Sequence, residues 1–214
     1  MVELFEKGGP FMWPLLFALV LGVAVILERL WTLSRASIDT KRFFEKVQEA
    51  LEAGGPEKAA EVCANTRGPV ASIFHAGLLR LDRGIDHVEK AIESSGSVEM
   101  AFLEKGMVWL ATVANVAPLL GFLGTVSGMI KAFQAIAEAG DVEPSIVASG
   151  ISEALITTAT GLAIAIPMQV MHNLFVSRVD KMIIDMEESS NAFVDTLVEK
   201  GYGSTTPAHS PRNG

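Results

Sequence analysis

An ionisable carboxylate and several hydroxyl groups lie in a segment that otherwise has the composition of a membrane span. The segment 150–170, GISEALITTATGLAIAIPMQV, contains Glu153, Thr157, Thr158 and Thr160. Glu153, Thr157 and Thr160 follow one another at helical spacing, so they share one face of a helix. A charged group in hydrocarbon is costly and is kept where it faces protein or water. We therefore expect this face to meet a neighbouring helix or an aqueous path.

A second segment, NVAPLLGFLGTVSGMIKAF, offers a complementary face of small residues. Gly121, Gly124 and Gly128 recur at i, i+3 and i+7, and Thr125 lies at i+4 on the same face. Glycines at such spacing, as in the GxxxG pattern, let two membrane helices approach closely. Pro118 is expected to kink or loosen the same helix, because proline lacks the amide donor. We interpret the glycines and Pro118 as helix-packing residues.

Each polar residue also has a purely structural interpretation. The hydroxyl of a threonine in a membrane helix can serve simply to donate a hydrogen bond to the backbone of its own helix. Glu153 could be a buried carboxylate whose hydrogen bonds only hold the structure together. Lys131 lies near the end of the second segment, where a long side chain can reach the interface, and we interpret it in that way. The conjunction of a carboxylate with hydroxyls on two facing helices favours a path for ions.

Three long apolar blocks position these residues. The chain has 214 residues, 50% of them hydrophobic, and a mean hydropathy of +0.37. A span needs ~20 mostly apolar residues. We place spans at 11–31, 107–135 and 147–175, and the absence of strand-like alternation predicts an all-α fold.

The distribution of basic residues predicts the orientation. Eleven of the 17 Lys and Arg residues lie between Arg29 and Lys105. Positive charge stays on the cytoplasmic side, so the N-terminus is expected in the periplasm and the C-terminus in the cytoplasm. The expected segments are a short outer N-terminus (1–10), a cytoplasmic helical region (36–105), a periplasmic linker (137–146), a cytoplasmic helical extension (176–200) and a disordered tail (201–214).

Local signals subdivide the cytoplasmic region. Gly54, Gly55 and Pro56 predict the end of its first helix. We expect the last helix before residue 105 to run directly into the second span, and the third span to continue without a break into 176–200, where the apolar face is maintained.

Several classes of function lack support in the sequence. It contains no nucleotide-binding, zinc or nucleophile-elbow motif, and its four histidines lack ligand spacing. The net charge of −8 argues against binding to nucleic acid. The single cysteine, Cys63, reads as a small buried apolar residue. We therefore predict no enzymatic activity, no metal and no cofactor.

Two motifs carry a resemblance to a known family. The stretches APLLGFLGTVSGMIKAF and GISEALITTATGLAIAIP resemble the signatures of the ExbB/TolQ/MotA proton-channel family, most closely its ExbB and TolQ branches, over roughly residues 5–200. The resemblance implies a ring-shaped homo-pentamer in the bacterial inner membrane. It also implies a dimeric, single-span ExbD- or TolR-like partner inside the pore, and a TonB- or TolA-like transducer that the complex drives across the periplasm.

The resemblance also assigns positions in the pore. Thr125, Glu153 and Thr158 match the polar pore-side positions of the family, whereas Thr157 departs from the small apolar residue expected there. Thr157 either adds a hydroxyl to the path or bonds its own backbone. The ExbB, TolQ and gliding-motor branches all remain open, because they share this core.

The sequence thus predicts the channel-forming subunit of a motor driven by the proton-motive force. The alternative from another class is a structural membrane scaffold that holds a partner without conducting ions. An autonomous transporter is disfavoured, because three spans without a discontinuous-helix repeat do not resemble transporter folds.

Overall fold

The computed structural model describes residues 2–37, 39–139 and 144–202, and all regular structure in these ranges is helical. Seven α-helices follow one another in these ranges, with one short 3₁₀ helix at Leu81–Arg83 between the fourth and the fifth. They are α1 (Val2–Lys7), α2 (Met12–Ala36), α3 (Thr40–Asn65), α4 (Pro69–Leu78), α5 (Ile85–Glu104), α6 (Met107–Ala139) and α7 (Pro144–Glu199). The predicted all-α fold is confirmed.

The helices form two compact units. The first unit contains residues 1–30 and 106–177, and the second contains residues 31–105 and 178–214. Three helices are long and apolar enough to cross a membrane, and their apolar stretches lie in α2, α6 and α7. The first unit therefore contains the predicted spans 107–135 and 147–175 and all but the last residue of the predicted span 11–31.

Helix α2 exposes apolar side chains along much of its surface. Leu15 and Ala18 are buried against the rest of the first unit, whereas large apolar residues on the other faces are exposed. A helix whose exposed faces are also apolar is suited to a lipid environment. These exposed residues include Trp13, Leu16, Phe17, Val20, Val23 and Leu27.

A glycine brings the three spans together. A Cβ atom on Gly22 of α2 would lie 2.6 Å from the sulfur of Met168 in α7 and 3.3 Å from Cγ1 of Val113 in α6. No side chain fits at this position without displacing its neighbours. Gly22 thus lets the α2 backbone lie directly against side chains of both other spans.

Helix α5 does not run into α6, and that prediction was wrong. The backbone leaves the helical region at Lys105 (ψ 130°) and turns at Gly106 (φ +87°) before α6 begins. A Cβ atom on Gly106 would lie 3.4 Å from Nε of Arg29, which is itself 2% exposed and bonded to Glu28. The positive φ explains why glycine occupies this position, since the Arg29 guanidinium lies only at ordinary van der Waals distance.

Helix α7 continues without interruption from the third span to Glu199, as predicted. It ends in a Schellman motif, in which Gly201 has φ +74° and the amide of Tyr202 donates to the carbonyl of Leu197 at 2.9 Å. Gly201 and Tyr202 are thus ordered, although we predicted a disordered tail from 201. Residues 203–214 of that tail lie outside the described residues.

The predicted periplasmic linker, 137–146, is shortened from both ends. Helix α6 extends to Ala139, and α7 begins at Pro144. Residues 140–143 lie outside the described residues.

Helix α3 is broken in the middle. Gly54 (φ −161°, ψ 18°) and Gly55 (φ 71°, ψ −167°) leave the helical region, and Pro56 follows. The predicted end of a helix at this sequence is confirmed, and a second helical stretch then carries the chain to Asn65.

Aromatic residues form the core of the second unit. Phe74 of α4 stacks on Phe193 of α7, with ring centroids 4.2 Å apart and an interplanar angle of 9°. Phe43 and Phe44 of α3 pack around the same ring, at 5.7 and 6.1 Å. Phe74 thereby joins α3 and α4, which are neighbours in the chain, to the distant C-terminal part of α7, and each aromatic pair adds about 0.5–1.5 kcal/mol beyond its buried area.

An ion pair joins the end of α7 to α3. Nζ of Lys200 donates to Oε1 of Glu52 at 2.8 Å. This hydrogen bond and the charge of Lys200 lower the pKa of the Glu52 carboxyl below its usual value. The stabilisation is therefore present above the ordinary carboxyl pKa and is lost as the pH falls through the lowered one.

Cys63 is predicted to resist thiol reagents in the folded protein. Its side chain is 2% exposed, and burial raises the pKa of the thiol to about 12, which leaves almost no thiolate at neutral pH. Because the thiolate is the nucleophile, we expect maleimide to label folded protein about 100-fold more slowly than denatured protein. Mass spectrometry measures both rates, with Cys63→Ala as the blank. Equal rates would contradict burial of the thiol.

Candidate functional site

The backbones of α6 and α7 nearly touch at two glycines. A Cβ atom on Gly161 would lie 2.5 Å from the carbonyl oxygen of Ala117, and one on Gly121 would lie 3.0 Å from the carbonyl oxygen of Thr157. Each of these neighbours is backbone, which cannot turn away as a side chain can. The two helices can approach this closely only because both positions lack a side chain.

The close approach extends toward the C-terminal part of α6. A Cβ atom on Gly128 would lie 2.9 Å from the carbonyl oxygen of Gly150, and one on Gly150 would lie 2.6 Å from Cβ of Ala132. Gly128 meets Gly150 and Gly121 meets Gly161, so the helices are antiparallel. The contact covers about 16 Å of helix, which is about half the thickness of a bilayer core. We call it the α6–α7 interface.

A pair of hydroxyl groups lies within the α6–α7 interface. Thr125 and Thr158 are hydrogen-bonded to each other across the two helices. Oγ1 of Thr125 also lies 3.1 Å from the carbonyl oxygen of Ala154, and Oγ1 of Thr158 lies 3.0 Å from that of Gly121. Two hydroxyl hydrogens thus face more acceptors than they can serve at once. The pair has more than one way of distributing its protons.

Thr157 is buried and points at α6. Its side chain is 0% exposed, and a Cβ atom on Gly124 would lie 2.6 Å from Cβ of Thr157. Its hydroxyl lies 3.1 Å from the carbonyl oxygen of Glu153 and 2.9 Å from that of Ala154. Of the two interpretations of Thr157, the geometry favours bonding to its own backbone. Thr160 behaves alike and donates to the carbonyl of Ile156 at 2.8 Å.

Glu153 forms an ion pair across the two helices. Nζ of Lys131 donates to Oε1 of Glu153 at 2.6 Å, and the two side chains are 48% and 19% exposed. Lys131, which we interpreted as reaching the interface, thus also has a specific partner on α7. Lys131 is the only charged residue in 107–135, and Glu153 is the only carboxylate in 147–175. Ionisable groups in membrane segments tend to pair with one another, and that rule could have predicted this contact.

The structure thus groups the predicted residues in two places. Thr125 and Thr158 meet across the helices, whereas Glu153 lies one turn nearer the start of α7 and pairs with Lys131. Pro118 lies within α6, which remains helical on both sides of it.

Sequence reasoning missed Gly150, Ala154 and Gly161, the small residues of α7 that face the glycines of α6. Their recurrence on one face was the available signal.

The described residues contain no group of three or more His, Cys, Asp and Glu side chains that could hold a metal ion. Within the same ranges, no buried side-chain nitrogen or oxygen lacks a hydrogen-bond partner. The polar groups of the α6–α7 interface are therefore satisfied by protein, as the interior of a membrane requires.

Replacing Gly161 by alanine is predicted to destabilise the α6–α7 interface. The new Cβ would press on the backbone carbonyl of Ala117, and overpacking of this kind costs about 1–3 kcal/mol. Gly96→Ala in α5 is the matched control, because its Cβ would meet only Ile73 Cδ1 at 3.9 Å. There alanine should stabilise the helix by about 0.5–1 kcal/mol. Thermal unfolding in detergent measures both variants, and equal stability of the two would contradict the close approach.

Comparison with known proteins identifies a family model that covers the site. The model described as the MotA/TolQ/ExbB proton channel family matches residues 65–188 of this chain. The match includes α4, α5, α6 and most of α7, and with them every residue of the α6–α7 interface. It begins after α2.

Two of three similar proteins cover more of the chain than the family model does. An ExbB homologue of Methanothermobacter thermautotrophicus is 33% identical over 187 residues, which are 87% of this chain and 66% of the relative. An ExbB-like protein of Synechocystis is 34% identical over 83% of this chain and 71% of its own length. The Tol-Pal system protein TolQ of Haemophilus influenzae is 37% identical over 53% of this chain and 50% of its own length.

The matched segment is more than half of the chain and contains the glycines, the hydroxyl pair and the ion pair of two apolar helices. The chain therefore belongs to the MotA/TolQ/ExbB proton channel family.

Proposed function

We propose that this protein is the channel-forming subunit of an inner-membrane motor driven by the proton-motive force, of the ExbB/TolQ type. The observation that carries the proposal is the hydrogen-bonded pair Thr125 and Thr158. These hydroxyls lie on two apolar helices, where packing alone could be achieved with alanine or valine. Family membership supports a proton-channel subunit of an energising complex.

The hydroxyl pair is suited to passing a proton but not to storing one. A hydroxyl donates and accepts at once, and the two groups have alternative hydrogen-bond arrangements with the carbonyls of Gly121 and Ala154. Neither threonine titrates near neutral pH, and Glu153 is occupied by Lys131. We infer that the carboxylate that takes up and releases the proton comes from another chain. An aspartate of a single-span, ExbD- or TolR-like dimer would supply it.

Exposed apolar faces on α6 and α7 support an oligomer in a membrane. Leu119 and Phe122 of α6 and Leu155 and Ile166 of α7 are each 64–66% exposed. These faces can meet lipid or a second copy of the chain. We propose a homo-pentameric ring in which α6 and α7 surround the partner and α2 faces lipid. We propose that residues 29–105, which hold eleven of the 17 Lys and Arg residues, face the cytoplasm and that the N-terminus faces the periplasm.

The motor would convert the free energy released by a charge that crosses the membrane potential into movement. One elementary charge that crosses 100 mV releases about 2.3 kcal/mol. In the proposed cycle the partner carboxylate is protonated from the periplasm near the hydroxyl pair and is deprotonated toward the cytoplasm. The change in charge alters how the partner helices fit the ring, and a TonB- or TolA-like transducer carries the resulting movement across the periplasm.

A structural scaffold that conducts no ions is the second candidate. It is favoured by the hydrogen bonds of Thr157 and Thr160, which stay within their own helix, and by the full satisfaction of buried polar groups among the described residues. In that case the hydroxyls would only fix the packing of the two helices around the partner.

Proton flux in liposomes separates the two candidates. We predict that Thr158→Val lowers the flux through the complex with its partner by about tenfold or more, because valine keeps the shape but removes a hydrogen bond that a passing charge would strengthen. Thr158→Ser retains the hydroxyl and is the matched control, with flux near the native value. A pH-sensitive dye inside the liposomes reports the rate, and native mass spectrometry verifies assembly. An intact Thr158→Val complex with native flux would favour the scaffold.

A further inference from the structure

The carboxylate of Glu153 is covered from two sides. On one side, Nζ of Lys131 lies 2.6 Å from Oε1, and only 19% of the Glu153 side chain is exposed. The Lys131 side chain is much more exposed, at 48%. The pair therefore places the carboxylate inward and the lysine outward. Because opposite charges at this distance cancel, the pair can lie at the end of an apolar helix pair at a lower cost than either charge alone.

The turn before α2 covers the other side. Gly9 has φ +69°, and a Cβ atom at this position would overlap Oε1 of Glu153 and lie 2.7 Å from its carboxyl carbon. The neighbouring Gly8 lies against Ile156, one turn further along α7; a Cβ there would be 3.3 Å from Cγ2 of that residue. The N-terminal turn thus rests directly on the carboxylate, and a Cβ atom at position 9 would force the carboxylate to move.

We propose that Lys131 is a positioning residue for Glu153. Together with the Gly9 turn, it holds the carboxylate against α6 in the uncoupled protomer, so that Glu153 meets a proton path only when the ion pair opens. We call this arrangement the Glu153 latch. Its link to a proton path rests on the proposed channel function, whereas the latch itself is a property of this chain alone.

The positioning role of Lys131 differs from a role in packing alone. Packing would need only a side chain of similar volume at position 131, whereas the latch needs a positive charge at hydrogen-bond distance from Glu153. The half-exposed Lys131 side chain places a positive charge beside the carboxylate, and the Gly9 turn makes close van der Waals contact with it. Two independent substitutions, one for each side, should therefore release the same carboxylate.

Carbodiimide labelling tests the latch without any measurement of conduction. Dicyclohexylcarbodiimide is an apolar reagent that modifies carboxyl groups which become protonated and uncovered in the membrane. The full-length protein is labelled in its own membranes, and peptide mass spectrometry quantifies modification at Glu153. Glu153→Gln identifies the peptide and gives the blank.

We expect Lys131→Met to raise the rate of Glu153 modification by about tenfold, the effect of losing a hydrogen bond between charged groups. Lys131→Arg should keep the native rate, because arginine restores the charge and the donor. Gly9→Ala should raise the rate as Lys131→Met does. Its matched control is Gly55→Ala, since Gly55 has a similar φ of +71° but nothing within 4 Å of the added Cβ.

The proposal would be overturned if Glu153 were modified in Lys131→Met at the rate of the native protein. It would also be overturned if Glu153 were modified as fast in Lys131→Arg as in Lys131→Met. Fast labelling of Gly55→Ala would show that backbone strain alone opens the site and would remove the role of the Gly9 turn. Proton flux is measured on the same preparations with the partner. If the labelling follows expectation while native protein conducts no protons, the latch stands and the channel assignment fails.

Discussion

The close contact between α6 and α7 is the constraint on which the rest of the site depends. Lipid chains are as apolar as leucine, so two membrane helices gain little from hydrophobic burial and must gain from van der Waals contact. Gly121 and Gly161 provide that contact by letting one backbone lie against the other. The register of the two helices is thereby fixed, and with it the partner that each polar side chain finds.

The polar groups follow from this contact. Where the two backbones touch there is no room for water, so the buried hydroxyl of Thr157 must be satisfied by another group of the protein, whereas Thr125 and Thr158 are only half-buried. Thr125 and Thr158 are opposite each other only in the register that the glycines set, and the same register brings Lys131 to Glu153. A shift of either helix by one turn would separate both pairs. The same helix contact therefore determines both the packing and the polar pairs of this unit. The exposed apolar faces of the two helices remain available for lipid or further subunits.

Much of the fold is readable from the sequence because it depends on local signals. The three apolar blocks, the break at Gly54 and Gly55 and the unbroken course of α7 each follow from composition or from residues that favour one backbone conformation. The break at Gly106 was missed because a single glycine is tolerated within a helix, and the sequence does not show that this one adopts a positive φ.

The site was predictable only in part for the same reason. Helical spacing selects the faces that carry Thr125 and Glu153, and the family resemblance adds Thr158, but neither says which residue meets which across two helices. The burial of Thr157 against Gly124 and the cover of Glu153 by the Gly9 turn depend on the approach of three separate segments. The stacking of Phe74 on Phe193 in the second unit likewise joins residues that no local pattern connects.

The central claim is that the hydroxyl pair borders an aqueous ion path in the assembled protein. Its most direct measurement is the reaction of Thr158→Cys, on a Cys63→Ala background, with a small water-soluble methanethiosulfonate cation in the complex with its partner. The account predicts that the new thiol is modified and that proton flux then stops. A thiol that reacts only after denaturation, or only with a lipid-soluble reagent, would contradict it.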